Sequence, residues 1–269
     1  MAKYKKKRAR ELQQDRFRDT TMDFFDRLGD SLEGQGRTIL YGLGALLLAG
    51  ILVFAFVKWR HKKTNEAEWA LGHAITITKA PVMSTPVAGS TELSFPSEVE
   101  RAQKAIAEFE KVAAKYGDPY RTESRYFIAS NLLVLDRQKG LAELQQLSNS
   151  NIAEVAALSK FALAQAKESD GQLDDAAKLY TELAKLNSPT VSAETANLRL
   201  AKVYEKQGKK KEAADLLFNI VDASRKAKGA DNQPIPTSAA AREAADELQK
   251  LDPDRYTQLP PEASPILAG

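Results

Sequence analysis

The chain has 269 residues, 43% of them hydrophobic and 28% charged, with no cysteine, two histidines and a formal net charge of +3. These figures exclude a collagen-like or disulfide-stapled protein and a cysteine-ligated zinc site, and they leave little material for a histidine-rich metal centre or a thiol nucleophile. The charge is also uneven: residues 1–37 hold ten Lys/Arg against seven Asp/Glu, 58–63 add four Lys/Arg, and 64–269 hold 25 Lys/Arg against 29 Asp/Glu. The basic balance therefore belongs to the front end, and the mildly acidic remainder lacks the basic stripe of a nucleic-acid footprint.

The tail, residues 1–37, opens on the cluster Lys3-Tyr4-Lys5-Lys6-Lys7-Arg8-Ala9-Arg10. Further along, Phe17, Thr21, Phe24, Leu28 and Leu32 recur at spacings of three or four. That pattern reads either as an amphipathic helix on an anionic membrane surface or a partner, or as a solvated, partly disordered segment.

Residues 38–57 hold no charge and are bracketed by Arg37 and Lys58-Trp59-Arg60. As a helix rising about 1.5 Å per residue they cover about 30 Å, the thickness of a hydrocarbon core, with Tyr41 and Trp59 near the headgroup levels. A cleavable signal would have a shorter apolar stretch, a shorter leader and a small-residue cleavage site, so the segment is expected to stay as an anchor. The short basic tail predicts a cytoplasmic N-terminus, although the basic juxtamembrane segment 58–63 competes with it. Gly42, Gly44, Gly50 and the Ala45/Ala49 spacing would permit close approach of another helix.

From residue 64 the sequence turns to Ala-rich amphipathic stretches, and hairpin-turn signals between alternating apolar runs are absent. Helices are expected at about 64–79, 97–116, 121–136, 139–148, 152–169, 173–187, 191–207, 210–226 and 237–250. The joints are Gly117-Asp118-Pro119, Gly140, Asp170-Gly171, Ser188-Pro189, Gly208 and Gly229 through Pro236. Short joints between helices make antiparallel hairpins.

Two of these hairpins repeat. Leu163-Ala164, Lys167, Gly171, Ala176, Tyr180 and Leu183 recur as Leu200-Ala201, Tyr204, Gly208, Ala213, Leu217 and Ile220, offset by 37. The order of small, long, Gly, Ala and large residues is the tetratricopeptide spacing. The alanines let helices approach, the glycines permit the turn, and Tyr180 and Leu217 fill the groove between repeats. Two earlier hairpins fit less well, one with Leu71-Gly72, Ala105, Phe109 and Val112 and the other shortened, from Arg121 to Leu147. The fold class expected is all-α: an N-terminal transmembrane helix, then a tetratricopeptide-like α-solenoid over 64–255 of about four hairpins, with a capping helix near Ser238–Leu251.

Residues 80–97 interrupt the first hairpin and are expected to form a disordered loop insertion, with Val82, Met83, Val87, Leu93 and Phe95 as alternative docking side chains. The Pro-rich end, 256–269, is expected to be disordered as well.

No phosphate-binding loop, nucleophile elbow, zinc helix or calcium-loop pattern occurs. His61 and His73 read as juxtamembrane and helix-surface residues, and Asp174-Asp175 sit at a helix start, where carboxylates suit the helix dipole. The chain is thus expected to be no enzyme and to need no metal or other cofactor. An enzyme would require carboxylates converging in a pocket.

The anchor ending in Val57-Lys-Trp-Arg60, the run Asn197-Leu-Arg-Leu-Ala-Lys-Val-Tyr204, and Leu158 through Ala177 with Leu163-Ala-Gln165 resemble the YfgM-like ancillary subunits of the bacterial Sec translocon. That resemblance implies a single-pass inner-membrane protein with a periplasmic repeat domain. The partners it implies are translocon subunits, a membrane-anchored periplasmic chaperone and exported clients. The long basic tail, the 80–97 insertion and the Pro-rich end depart from the family. Tetratricopeptide groove positions carried over give a partner-binding surface of Leu158, Phe161, Gln165 and Glu168 from one repeat and Thr195, Leu198, Lys202 and Glu205 from the next. Such a groove combines apolar anchors with polar selection of a peptide. A structural role in envelope assembly or division, with the repeats holding a homo-oligomer together, is the alternative.

Overall fold

A computed structural model describes residues 36–83, 93–186, 188–230 and 232–262. The tail ahead of residue 36, with its basic cluster and the Phe17-to-Leu32 pattern, lies outside the described residues, as do the centre of the 80–97 insertion and residues 263–269. Among the described residues ten helices run in chain order: α1 Gly36–Lys79, α2 Glu98–Lys115, α3 Tyr120–Leu135, α4 Arg137–Leu147, α5 Ala153–Ser169, α6 Leu173–Leu186, α7 Ala193–Lys206, α8 Lys210–Lys226, α9 Ala239–Leu251 and α10 Pro253–Tyr256. Only isolated bridges, and no strands, occur among the described residues, so the fold is all-α. The chain divides into two compact units, Met1–Glu66 and Ala67–Gly269.

Within the first unit, α1 is long and apolar enough to cross a membrane, with a mean hydropathy of 2.0 in its apolar window and none of that window buried. Leu46, Leu47, Ile51, Phe54 and Phe56 stand exposed along it. At the polar end the Lys63 ammonium lies 4.0 Å from the Trp59 ring centre, a cation–π contact. Residues 58–63, the basic juxtamembrane segment, continue the helix of α1. They contain neither Gly nor Pro, so nothing in them ends a helix.

The second unit is a series of tetratricopeptide-like hairpins, and its core repeats as they do. Leu71, Ala74 and Ile77 of α1 pack on Ala105, Phe109 and Val112 of α2, with the Phe109 and Phe127 rings stacked at 4.8 Å. Ala129 of α3, Leu144 and Leu147 of α4 and Val155 and Leu163 of α5 form the next cluster. Ala157 and Ala164 of α5, Ala176, Tyr180 and Leu183 of α6 and Ala196, Leu200 and Val203 of α7 form the third. Leu198, Ala201, Leu217, Ile220, Val221, Ala241, Ala244 and Leu248 close the series over α7, α8 and α9. Each cluster draws on successive helices, so every hairpin buries one face against the next.

The two regular hairpins turn alike. At the end of α5, Gly171 has φ +74°, its N–H donates to the Glu168 carbonyl and the Gln172 N–H to the Lys167 carbonyl. At the end of α7, Gly208 has φ +75°, with Gly208 N–H to Glu205 and Lys209 N–H to Tyr204. This paired 5→2 and 6→1 closure requires a left-handed residue, which glycine adopts without strain.

Three expectations change. Gly140, expected as a joint, lies in the first turn of α4, which starts at Arg137 because the Asp136 carboxylate accepts from the Lys139 N–H. A Cβ on Gly140 would sit 2.8 Å from the Leu133 nitrogen and 2.9 Å from the Ala129 oxygen, so glycine is there for close helix approach. The 80–97 insertion is pinned at its base: Met83 N–H donates to the Phe95 carbonyl at 2.8 Å and Phe95 N–H to the Pro81 carbonyl at 3.0 Å. The end of the chain packs further than expected, since α10 follows α9, Leu259 is buried in the last cluster and Arg225 donates to the Pro260 carbonyl. Apolar Tyr256 and Leu259 outweigh the turn-forming composition around them.

Candidate functional site

The first helices of the later hairpins, α3, α5 and α7, pack into the core clusters on both sides, and each leaves a further side outside them. On α7, Ala196, Leu200, Val203 and Tyr204 pack toward α5 and α6, and Leu198 and Ala201 toward α8 and α9. Among the residues left over, Thr195, Arg199, Lys202 and Lys206 recur at intervals of four, three and four, on one face of the helix. Two contacts show that this stripe faces along the row of first helices: Lys202 pairs with Glu243 of α9, and Lys206 with Glu168 of α5.

On α5 the corresponding stripe is Glu154, Leu158, Phe161 and Gln165. Leu158 and Phe161 are half-buried at the edge of the third cluster, and the Phe161 ring meets that of Tyr180 edge-on at 5.9 Å. Gln165 is exposed. Glu168, next along, is drawn between hairpins: it accepts from the Tyr180 hydroxyl at 3.1 Å as well as from Lys206. Burial, followed by the nearby Glu168 carboxylate, pushes the Tyr180 phenol well above its ordinary range, so it stays a neutral donor.

The eight groove residues predicted from sequence divide accordingly. Leu158, Phe161, Gln165, Thr195 and Lys202 fall on these two helix stripes, with Glu168 at their margin. Thr195 is also used locally, its N–H donating to the N-cap Ser192 hydroxyl. Leu198 is only 4% exposed and packs inside the last cluster, so it offers no contact surface. Glu205 is exposed but falls on the Leu198 side of α7, off the stripe from Thr195 to Lys206. Sequence reasoning missed Arg199 and Lys206. The signal was available as the i, i+4, i+7, i+11 recurrence from Thr195, but only the packing of Leu198 shows which of two adjacent stripes is open.

On α3 the open side carries Glu123, Tyr126, Ser130 and Val134, with Tyr126 packed against the second cluster. Burial, and then the Glu154 carboxylate on α5, raise the pKa of Glu123. Among the described residues no three of His, Cys, Asp and Glu converge to hold a metal ion.

No family model matches the chain, and neither does any curated protein. Among solved structures it is similar to a Podosopora anserina putative kinesin light chain with nearly identical TPR-like repeats, at 20% identity and a TM-score of 0.44, covering 59% of this chain and 81% of that one. A form of the same protein carrying a single substitution matches with the same identity and score over 59% of this chain and 80% of its own.

Proposed function

We propose that the chain is a membrane-anchored protein-interaction scaffold whose repeat domain holds polypeptide partners on its concave face. The observation that carries this reading is the open side of α5 and α7. There Leu158 and Phe161 remain half-buried and Gln165 exposed, although the flanking sides of both helices are packed into the third and last clusters. Half-buried apolar side chains beside polar ones on a rigid surface suit a peptide or a partner helix. The anchor follows from α1, whose exposed apolar side chains have lipid as their natural surroundings.

The finer reading is an ancillary role at the Sec translocon. The N-terminus would be cytoplasmic and the repeats periplasmic, assisting a membrane-anchored chaperone with exported proteins. The basic tail and the sequence resemblance support it. In-cell photo-crosslinking from position 165 tests it: translocon subunits, chaperones or nascent exported chains are the expected captures. Capture of envelope-assembly proteins, or of a second copy alone, would replace it with the structural-scaffold reading. A reporter fused after Gly269 that is active only in the cytoplasm would reverse the orientation.

A further inference from the structure

Resting on that reading, a second question is which segment the concave face selects, and the charges left over after internal pairing answer it. Of the cationic side chains on the α7 stripe, Lys202 and Lys206 each hold a carboxylate of the same chain, Glu243 and Glu168. Arg199, half-buried between them, has no carboxylate within ion-pair distance among the described residues, although the Tyr180 hydroxyl and Glu243 lie within electrostatic reach. A half-buried guanidinium without an acceptor keeps its five donors available for a planar carboxylate. Two helices away the situation is reversed. Glu123 on α3 and Glu154 on α5 stand near enough to repel one another, and neither has a cationic partner among the described residues. Between the two poles lie Tyr126, Leu158 and Phe161, half-buried.

We propose that this face selects an extended polypeptide segment bearing a basic residue for Glu123 and Glu154 and an acidic residue for Arg199, with apolar side chains between them on Leu158 and Phe161. A helix with its side chains is about 10–12 Å across, so two steps along the row from α3 to α7 span roughly 20 Å. An extended chain rises about 3.3 Å per residue, which places the two charges about six residues apart. Complementary charge at both ends sets register and excludes segments of uniform charge, since like charges facing each other across an interface are costly.

The test uses the full chain in detergent and fluorescent 14-residue peptides with a Leu/Phe centre. Two carry Lys and Asp six residues apart, one in each order, because the groove accepts only one polarity; the others carry two Asp, two Lys, or Asn and Gln in the same places. One mixed-charge peptide is expected to bind at least about tenfold more tightly than the like-charge and neutral ones. Arg199→Glu should abolish that preference and favour the two-Lys peptide, with helical circular dichroism unchanged. Arg199→Gln, which adds no negative charge, should weaken the mixed peptide without promoting the two-Lys one. Equal binding of all charge patterns, or a mixed-charge preference that survives Arg199→Glu, overturns the proposal. If position 165 still crosslinks partners in cells, that result removes the charge selection alone and leaves the scaffold reading standing; loss of both removes the scaffold reading too.

Discussion

The two regular hairpins, α5–α6 and α7–α8, and the two earlier ones, α1–α2 and α3–α4, solve the same packing problem with different local chemistry. The regular pair turns on left-handed glycines, Gly171 and Gly208, and crosses on fully buried Ala176 and Ala213. The earlier pair uses caps: Ser97 accepts from the Glu100 N–H to start α2, and Asp136 from the Lys139 N–H to start α4. In the first hairpin the small-residue step survives only as Ala105 against Phe109, and the turn is replaced by the pinned 80–97 segment. A repeat can therefore lose its turn signature and keep its place in the stack, provided that one aromatic and a few alanines still face the neighbouring helix.

This comparison can be broken at several points. Phe109 is fully buried and stacked on Phe127, so Phe109→Ala should cost about 3–5 kcal/mol in denaturant unfolding of the full chain. Its counterpart in the last regular hairpin, Leu217→Ala, should cost about 2–5 kcal/mol. An effect below about 1 kcal/mol for Phe109 would show that the first hairpin does not share the cooperative core.

The glycines provide a sharper contrast. Gly140→Ala forces a methyl against backbone atoms of α3 and should cost about 1–3 kcal/mol. Gly171→Ala and Gly208→Ala meet open space and suffer only the left-handed strain, about 1 kcal/mol each. If the order is reversed, close approach of α3 and α4 is not what requires Gly140. Removing the side-chain caps with Asp136→Ala or Ser97→Ala should cost about 0.5–2 kcal/mol, against a smaller change for exposed positions on α6.

The smallest expected effect is electrostatic. The hydrogen bond from Lys202, more than its charge, holds Glu243 below the ordinary carboxylate range. A lowered folded pKa means that the pair stabilises the fold above the unfolded glutamate pKa and that this contribution is lost as pH falls through the folded value. Because the Glu243 side chain is 50% exposed, the contribution is at most about 1 kcal/mol. Lys202→Met should flatten the acid side of the stability profile by that amount. Glu123 has the opposite sign: its raised pKa makes ionisation unfavourable in the fold, so Glu123→Gln should stabilise slightly near neutral pH and lose that advantage below the carboxylate range.

Much of this protein was legible in one dimension because local rules decide it. An uncharged run between basic brackets makes an apolar helix whatever surrounds it, and the 37-residue offset of Gly171/Gly208, Ala176/Ala213 and Tyr180/Leu217 reflects turns and crossings built from neighbours in sequence. The packing role of Gly140 and the seating of Leu259 were decided in three dimensions. Each depends on what lies opposite, which spacing along one helix does not encode. The candidate face was harder to read: on α5 Leu158, Phe161 and Gln165 share a period, but Val155, Leu163 and the alanines line the other sides, so composition does not mark the open one. On α7 the stripes of Leu198 and Arg199 are both plausible from sequence, and only the arrival of α9 against Leu198 leaves Arg199 facing the open side.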